Sequence, residues 1–510
     1  MVIQLNSTIL LYMGLDISMP KPITVGHLVK QLKKYCRPTD IDFVRLAYDF
    51  AAEAHKGQFR KSGEPYINHP LSAAYLLSKI KIDTNIIVAA LLHDVPEDTN
   101  VSIQEIEENF GSDIAIMVTG ITKLGKLKYR GMERYIENLR KMFVAMAEDM
   151  RVIIIKFVDR IHNLMTLDAH SPAKRHLIAL ESLEIYAPIA NRLGMGEIKG
   201  TLEDLAFPYV FPKEYKKVKY LRDNQLAEES IYLDQVIKTT RKKLLDDGIK
   251  VLDIHGREKQ LYSLYQKLLL KNWEIDKIHD IVAVRIIVPD LTNCYAALGT
   301  IHRLWKPLKG RIKDYVAQPK PNGYKSLHTT VFCNEGRVVE FQIRTEEMHK
   351  EAEYGIAAHW HYDEKGKLKK VPTKDIAWAQ ELAKIQKEKL HNISDLESLK
   401  IDFFQNRIFV FTPNGDVIDL PENATPIDFA YYIHSEIGHK CNGARINDQM
   451  VSLDTALKSG DVVEILTDKN RKGPSPDWLK IVKTTAAKDK IKSYLNGAKR
   501  SWIKNLLPLK

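Results

Sequence analysis

The first part of the chain repeats apolar residues at the spacing of a helix. Segments such as "FVRLAYDFAAEAHKG", "NIIVAALLHD" and "RVIIIKFVDRIHNLMTL" place apolar residues three or four positions apart, and the first of them stops at a glycine. The pattern predicts an all-α domain over residues 24–215. Residues 1–23 are then an N-terminal extension.

The pattern changes near residue 250. The segments "DKIHDIVAVRIIV" and "GRVVEFQIRT" are rich in valine and isoleucine, which is typical of strands, and helical runs flank them. We therefore predict an α+β domain over residues 216–362. A charge-rich, helix-prone connector over residues 363–402 follows it.

A third block of short strands and turns is predicted over residues 403–466. Its "TPNGD" segment lies between two apolar runs, which is a good hairpin signal. Residues 467–510 are basic and are predicted to be the start of a helical region.

Composition narrows the class of protein. The 510 residues allow several domains, and 76 basic against 65 acidic residues give a net charge of +11, which favours polyanionic partners such as nucleotides or RNA. The sequence contains no run of about 18 apolar residues, so no membrane span is predicted. The four cysteines lack metal-binding spacing, so we expect a reducing, cytoplasmic setting. Residues 1–19 lack the basic start and the cleavage site of a signal peptide, and initiation at Met13 or Met19 stays open.

An acidic cluster follows the apolar helix at "LLHDVPEDT". In a continuous helix, residues four apart share a face, which pairs His93 with Glu97 and Asp94 with Asp98. The apolar residues ahead of them predict burial, and buried charges need partners. The cluster either binds a cation or is a solvated acidic helix end.

Three more residues favour the cation. His69 lies in "GEPYINHP", and Asp159 and Asn163 lie four apart in "VDRIHN". Two imidazoles and two carboxylates suit Mn²⁺, Fe²⁺ or Zn²⁺, and the carboxylates favour manganese. Such an ion makes hydroxide available near pH 7 by lowering the pKa of a bound water. Glu97 and Asp98 are then candidates to position or deprotonate that water.

The order His…His-Asp…Asp in a helical domain resembles the HD-domain phosphohydrolases. The segments "AHKGQFRKSGEPYINHP", "LLHDVPEDT", "ITKLGKL" and "EIYAPIANRLGMGEIKGTLEDLAF" resemble, more closely, the hydrolase domain of the RelA/SpoT homologues, which make and destroy the alarmone (p)ppGpp. The resemblance implies a working, Mn²⁺-dependent hydrolase that cuts at the 3′ position and releases pyrophosphate and GDP or GTP. Pro96 replaces an aliphatic residue of the family pattern and predicts a helix end or a kink there.

The resemblance also assigns roles in this domain. The implied metal ligands are His69, His93, Asp94 and Asp159, the residues that activate water are Glu97 and Asp98, and the nucleotide contacts are Arg60, Lys61, Ser62, Asn163 and Thr166. The side chains of "RKSG" suit these nucleotide contacts, because the Arg60 guanidinium can stack on a base and the Lys61 ammonium can bind phosphate.

A second candidate site lies in the α+β region. Residues 301–330 carry seven lysines or arginines and one acid, Asp314, around Tyr324. Cations beside an aromatic ring suit a nucleotide, although a basic surface loop or an RNA-binding patch has the same composition. In "VVEFQIR", alternation places Glu340, Gln342 and Arg344 on one face, which is either an active-site wall or an ordinary solvated face.

Together with "HGREKQLYSLYQKL" and "HDIVAVR", these segments resemble the (p)ppGpp synthetase domain of the same family, which has a nucleotidyltransferase-like fold. The resemblance implies Mg²⁺-dependent pyrophosphoryl transfer from ATP to the 3′-OH of GDP or GTP, with Asp280 holding Mg²⁺ and Glu340 acting as base or metal ligand. The implied nucleotide contacts are Arg257, Lys259, Lys267, Arg311, Lys313, Lys320, Asn322, Tyr324, His328, Gln342 and Arg344. Tyr324 would stack on the acceptor guanine. Simple alternation separates Arg285 from Asp280, so Arg285 has no assigned role.

The third block, from "IFVFTPNGDVIDLP" to "GDVVEILT", resembles a TGS domain, a β-grasp module. The resemblance implies contact with uncharged tRNA on the ribosome through His434, and the alternative is a structural spacer. It implies a long bifunctional Rel-type enzyme, truncated after the TGS domain, that acts in the stringent response. Two alternatives remain open, namely a hydrolase-dominant enzyme with a vestigial synthetase and a tRNA- or ribosome-binding regulator without relevant catalysis.

Overall fold

The computed structural model describes most of the chain. The described residues are 16–125, 141–142, 144–146, 148–275, 278, 281–320, 322–360, 407–414, 416–458, 460–471 and 473–506. Asp280 and the predicted connector over residues 363–402 lie outside them. The chain divides into two units, residues 1–386 and residues 387–510.

The first unit begins with a helical domain. Its helices are α1 Val25–Leu32, α2 Pro38–Ala54, α3 Asn68–Lys79, α4 Thr84–Leu92, α5 Val95–Asp98, α6 Ile103–Phe110, α7 Ser112–Gly125, α8 Arg151–Met165, α9 Pro172–Glu181, α10 Ala187–Arg192 and α11 Gly196–Val210. The long helix α12 Pro212–Asp246 follows, and its buried residues pack into the core of the second domain. A 3₁₀ turn, Leu167–Ala169, and a π-helical stretch, Ser182–Tyr186, complete the helical elements. The predicted helical character is therefore confirmed over the described residues of this region.

Helix α4 lies at the centre of this domain. Eight of its nine residues are buried, as expected of a segment that is apolar on every side. The Asp83 carboxylate caps its N-terminus by accepting a hydrogen bond from the Asn85 backbone N–H at 2.9 Å. Helix α4 packs against α2, α3, α7 and α8. Its C-terminal end is thereby fixed beside α3 and α8.

The helix break that Pro96 predicts is confirmed, and the continuous helix on which the pairing of His93 with Glu97 depended is not formed. Helix α4 ends at Leu92, and the four-residue helix α5 starts at Val95 with Pro96 in its first turn. Proline is tolerated there because the first turn needs no backbone N–H donor. The pairing of His93 with Glu97 on one helical face therefore does not apply, and His93 and Asp94 lie at the junction of two helices.

The second domain of this unit is built on a five-stranded sheet. Its elements are β1 Asp253–Glu258, α13 Leu261–Leu270, β2 Val282–Val288, α14 Leu291–Leu304, β3 Lys306–Asp314, β4 Leu327–Phe332, β5 Val338–Thr345 and α15 Glu346–Tyr354. The strand order is β1-β2-β5-β4-β3, in which β2 and β5 run parallel and the other neighbours antiparallel. One face buries apolar side chains such as Val284, Ile286, Phe341 and Ile343 in a core with α13 and α14.

The opposite face carries a polar row that crosses all five strands. The paired residues are, in order, His255, Arg285, Gln342, His328 and Lys313. Directly paired residues point to the same side of a sheet, so this row defines one polar face.

Helix α11 joins the two domains. It packs against α8 of the helical domain and against α13 and α15 of the second domain. The Asp204 carboxylate, on α11, accepts hydrogen bonds from the backbone N–H groups of Leu261 and Tyr262 at 3.1 and 2.9 Å, which caps α13.

A glycine permits a second close contact between the two domains. The Ile356 backbone N–H donates to the Leu193 carbonyl oxygen at 2.9 Å. A Cβ atom at Gly355, whose φ is +53°, would lie 2.1 Å from that oxygen, so no larger residue fits this backbone.

The described residues of the second unit form two small β-sheets and four helices. Its elements are β6 Arg407–Phe411, β7 Val417–Pro421, α16 Pro426–Ile433, α17 Ser435–Lys440, β8 Cys441–Ile446, β9 Gln449–Val451, β10 Val463–Thr467, α18 Trp478–Ile481 and α19 Thr485–Leu506. The antiparallel pair β6–β7 confirms the hairpin predicted at "TPNGD". Strands β10, β8 and β9 form a second sheet, and a parallel bridge between Phe411 and Val462 links the two sheets. Among all described helices, none has the length and apolar character needed to cross a membrane.

Candidate active sites

A buried cluster of two histidines and two carboxylates lies where α3, α4 and α8 meet. The ligand atoms of His69, His93 and Asp159 all lie within 4.8 Å of one another. The Asp94 carboxylate joins them, 3.5 Å from His69 Nε2 and 3.1 Å from His93 Nε2. The structure thus brings together all four residues that the sequence proposed as metal ligands.

The donor set fits a divalent cation. His93 Nδ1 donates to the Ala90 carbonyl oxygen at 2.7 Å, so its buried Nε2 keeps a lone pair and has no hydrogen-bond partner among the described residues. A ligating histidine commonly donates its other ring nitrogen to a backbone carbonyl in this way. The lone pair faces carboxylate oxygen, an arrangement that is repulsive without a positive charge between them.

The charges of the cluster are set by its burial and by Lys156. Burial by itself raises the pKa of Asp159, but Lys156, at 2.7 Å, and His69 hold that pKa well below its usual range. Burial also lowers the pKa of His69. The cluster therefore combines an ionised carboxylate with neutral imidazole, which is the protonation state that metal binding needs.

Tyr66 connects the cluster to the acidic residues of α5. Its hydroxyl lies 3.1 Å from Asp94 Oδ2 and 2.6 Å from Asp98 Oδ2. Glu97 is half-buried, and burial and the nearby Asp94 raise its pKa. A carboxylate with a raised pKa is a better base, as the proposed activation of water requires.

A cavity of about 220 Å³ opens beside this cluster. Four of the predicted nucleotide contacts line it, Arg60, Lys61, Ser62 and Thr166, and four residues without a predicted role complete the lining, Phe59, Tyr66, Ala169 and His170. Asn163, the fifth predicted contact, accepts a hydrogen bond from Arg60 Nη2 at 2.8 Å. The cavity offers cations, a hydroxyl and an exposed aromatic ring next to the cluster.

The polar face of the five-stranded sheet holds a second network. His328 Nδ1 lies 3.1 Å from Glu340 Oε1, and His328 Nε2 lies 2.7 Å from the Tyr324 hydroxyl. Gln342 Nε2 donates to Glu340 Oε1 at 2.9 Å. Four residues that the sequence assigned to nucleotide transfer are thus connected by hydrogen bonds.

Arg344 extends this network into the interior. Its Nη2 donates to the Tyr324 hydroxyl at 2.6 Å, and its Nη1 lies 3.1 Å from Glu353 Oε1. Arg344 is only 1% exposed, so the interpretation of this strand face as an ordinary solvated surface is wrong. The Arg344 guanidinium is thus paired with both the Tyr324 hydroxyl and the Glu353 carboxylate.

Arg285 belongs to the same polar face. It is fully buried, and its Nη1 lies 2.9 Å from Glu353 Oε1. Because β2 starts at Val282, after Asp280, alternation counted from Asp280 does not apply to Arg285. The structure places Arg285 on the polar face, whereas alternation counted from Asp280 had left it without an assigned role.

The other predicted contacts of this site lie around the network. Arg257 is on β1, Lys267 is on α13, Arg311 and Lys313 are on the exposed strand β3, and Lys259 follows β1. Lys320 Nζ lies 5.0 Å from the centre of the Tyr324 ring. Asn322 Nδ2 donates to the Asn191 carbonyl oxygen of the helical domain at 3.2 Å.

Family models match all three regions of the chain. The HD domain matches residues 47–196, the region found in RelA / SpoT proteins matches residues 256–367, and the TGS domain matches residues 408–467. The guanosine-3′,5′-bis(diphosphate) 3′-pyrophosphohydrolase of Aquifex aeolicus (strain VF5) is 46% identical over 474 residues, which are 93% of this chain and 67% of that protein. The chain belongs to the RelA/SpoT family.

Two further RelA/SpoT relatives carry different names. A GTP pyrophosphokinase of Myxococcus xanthus is 45% identical over 92% of this chain and 62% of that protein. The bifunctional (p)ppGpp synthase/hydrolase SpoT of Escherichia coli (strain K12) is 44% identical over 92% of this chain and 67% of that protein. The chain thus spans 62% to 67% of the length of these three relatives. The predicted family and fold class, an HD-type all-α domain, an α+β synthetase-type domain and a TGS domain, are confirmed.

His434 occupies an exposed position in the TGS domain of this RelA/SpoT protein. It precedes α17, and its Nδ1 accepts a hydrogen bond from the Glu436 backbone N–H at 3.2 Å. The neighbouring Tyr432 is 55% exposed. The position is open to a partner, and the tRNA contact stays a prediction.

Sequence reasoning missed several residues of both sites. His162, Tyr66 and Glu353 make close contacts to the predicted residues. Tyr66 lies inside the quoted segment "GEPYINHP", whereas Glu353 lies in no quoted segment. His162 sits in "VDRIHN" between two assigned residues, so the segment was visible but the contact was not.

We expect Tyr324 of this RelA/SpoT protein to lose its proton near neutral pH. Burial by itself raises the pKa of Tyr324, but Arg344, His328 and Lys320 lower it to about 7. This value is below the usual tyrosine pKa of about 10, so the phenolate forms as the pH rises through 7. In an ultraviolet titration we expect a tyrosinate step near pH 7 from one of the 22 tyrosines, and no such step in Tyr324→Phe.

The exposed Tyr220 supplies the control for this titration, because Tyr220→Phe should keep the step. A wild-type protein that forms tyrosinate only above about pH 9 would contradict the described pairing of Tyr324 with Arg344.

Proposed function

We propose that this protein is a bifunctional alarmone enzyme. It hydrolyses (p)ppGpp to GDP or GTP and pyrophosphate at the His-Asp cluster. On the polar face of the sheet it transfers the pyrophosphoryl group of ATP to the 3′-OH of GDP or GTP, with AMP as the leaving group. The observation that carries this proposal is that one chain holds both a buried His69–His93–Asp159 cluster and the separate Glu340 network. The names of its relatives, which cover both activities, support it.

In the proposed hydrolysis, the cavity beside the cluster binds the nucleotide. Lys61, Ser62 and Thr166 line this cavity, and in this proposal Lys61 and Ser62 contact phosphate. Glu97 and Asp98 take the proton of the attacking water, which the raised pKa of Glu97 favours. His69, His93, Asp94 and Asp159 would hold a divalent ion, which supplies hydroxide near neutral pH when bound.

In the proposed synthesis, Glu340 assists the attacking 3′-OH. Its contact with His328 and Gln342 fixes the carboxylate, and cations around it bind phosphates. The reaction depends mainly on positioning and charge neutralisation, which suits a face with many cations and few acids. Tyr324 provides the ring for the acceptor guanine.

The choice of ions is part of this proposal. We infer Mn²⁺ at the His-Asp cluster, because it combines imidazole with carboxylate ligands. We infer Mg²⁺ at the synthetase site, where Asp280 is the proposed ligand and phosphate oxygens supply the rest.

The remaining roles concern location and partners. We propose that the protein acts in the cytoplasm during the stringent response and that the TGS domain contacts uncharged tRNA on the ribosome through His434. The exposed position of His434 and the net charge of +11 support this proposal. The domain boundaries of the sequence analysis are proposed with it.

Two parallel reactions test the function. Purified protein is incubated with labelled ppGpp and Mn²⁺, and separately with GDP, labelled ATP and Mg²⁺, and the products are separated by chromatography. The proposal expects pyrophosphate and GDP from the first reaction and ppGpp from the second. Activity in only one reaction would leave a monofunctional enzyme, and activity in neither would favour a tRNA- or ribosome-binding regulator.

A further inference from the structure

Five side chains, two of which belong to the His-Asp cluster, form a closed ring of close polar contacts. Arg60 Nη1 lies 3.0 Å from His162 Nδ1, and His162 Nδ1 lies 2.8 Å from His69 Nδ1. His69 Nε2 lies 3.1 Å from Asp159 Oδ1, which accepts from Asn163 Nδ2 at 2.6 Å. Asn163 Oδ1 closes the ring by accepting from Arg60 Nη2 at 2.8 Å. The ring joins the nucleotide cavity to a proposed metal ligand.

The chemistry of arginine fixes the protons in this ring. A guanidinium donates hydrogen bonds and cannot accept them, so His162 Nδ1 carries no proton, and its single lone pair is shared between Arg60 and His69. Two nitrogens 2.8 Å apart share one proton, and that proton then belongs to His69 Nδ1. His69 is thereby held with its proton on Nδ1 and its Nε2 lone pair turned toward Asp94 and Asp159.

The two cluster histidines reach the same state by different means. His93 Nδ1 donates to the Ala90 backbone carbonyl, which no side-chain substitution removes. His69 Nδ1 depends on the His162 side chain instead. His162 is buried and lies on α8, the same helix that supplies Asp159. Its ring is therefore held in place by the helix packing that also positions the carboxylate.

We propose that His162 is a positioning residue of the hydrolase site, which holds His69 in the tautomer that binds metal. The inference rests on the proposed metal centre and adds an acceptor that none of the assigned roles includes. Outer partners of ligating histidines typically change metal affinity by about 10- to 100-fold, so the effect is measurable without substrate.

Two substitutions separate the acceptor from the volume of the ring. Glutamine at position 162 retains a carbonyl oxygen that can accept from both His69 and Arg60, whereas leucine retains volume and accepts nothing. We expect His162→Leu to weaken Mn²⁺ binding by about 10- to 100-fold and His162→Gln to stay within about threefold of wild type. His176→Leu, on α9 of the same domain, is the matched control and should bind Mn²⁺ like wild type, because His176 Nδ1 contacts the Tyr209 carbonyl outside the cluster.

Mn²⁺ binding is measured by electron paramagnetic resonance of the free ion in metal-stripped protein, with His93→Ala as the background for other sites. Thermal unfolding without metal verifies that each variant is folded. Equal binding by wild type and His162→Leu would overturn the positioning role alone, as would equal losses in the leucine and glutamine variants. A wild type that binds no more Mn²⁺ than His93→Ala would instead overturn the metal centre itself.

Discussion

Replacing His93 with alanine is expected to abolish hydrolysis of ppGpp while synthesis continues. His93 Nε2 is a buried lone pair without a hydrogen-bond partner among the described residues, and it faces the Asp94 carboxylate. The substitution removes one of the four proposed ligands, and weaker binding of the cation leaves the negative charges of the carboxylates without an offsetting positive charge. We expect the hydrolysis rate to fall by about 10³-fold or more, which corresponds to about 4 kcal/mol of transition-state stabilisation.

The measurement is the initial rate of pyrophosphate release from labelled ppGpp with saturating Mn²⁺. Because His93 is buried, thermal unfolding must show that the variant is folded, and His93→Gln provides a second variant of closer volume. His176→Ala is the matched control, since His176 lies in the same domain and outside the cluster. Hydrolysis at wild-type rates in both His93 variants would remove the cluster from the mechanism.

Replacing Glu340 with glutamine is expected to have the opposite effect. The Glu340 side chain is held by His328 and Gln342 and remains partly accessible, at 17% exposure, which suits a group that meets substrate. Glutamine keeps the shape and one acceptor oxygen but removes the negative charge. Loss of a general base typically costs about 10²- to 10⁴-fold, and we expect synthesis to fall within that range while hydrolysis is unchanged.

Synthesis is measured as the initial rate of ppGpp formation from ATP and GDP, over a range of GDP concentrations. A role in the chemical step predicts that kcat falls while KM for GDP changes little. Glu346→Gln is the matched control, because Glu346 is an exposed carboxylate on α15 that pairs with Lys350. A change confined to KM would make Glu340 a binding residue and not a base or metal ligand.

The four proposed metal ligands were predictable because their residue types and order are informative. Burying two histidines and two carboxylates together in one domain is unfavourable without a cation, and the structure brings these four residues into one buried cluster. The local backbone was less predictable. Asp94 precedes the separate four-residue helix α5, so the spacing rule for a continuous helix did not apply to Glu97 and Asp98.

Long-range pairs account for most of what the sequence did not reveal. Alternation placed Gln342 and Arg344 correctly on one face. It could not show that Glu353, from the following helix, forms an ion pair with Arg344 on that face. His162 and Arg60 are 102 residues apart in sequence, and their contact depends on how the "RKSG" turn packs on α8. Such contacts follow from tertiary packing, which periodicity does not specify.

The most direct test of the account measures both reactions in three proteins, the wild type, His93→Ala and Glu340→Gln, under identical conditions. We expect the wild type to carry out both reactions, His93→Ala to retain only synthesis, and Glu340→Gln to retain only hydrolysis. Loss of both activities in either folded variant would contradict the claim that the chain carries two separate active sites.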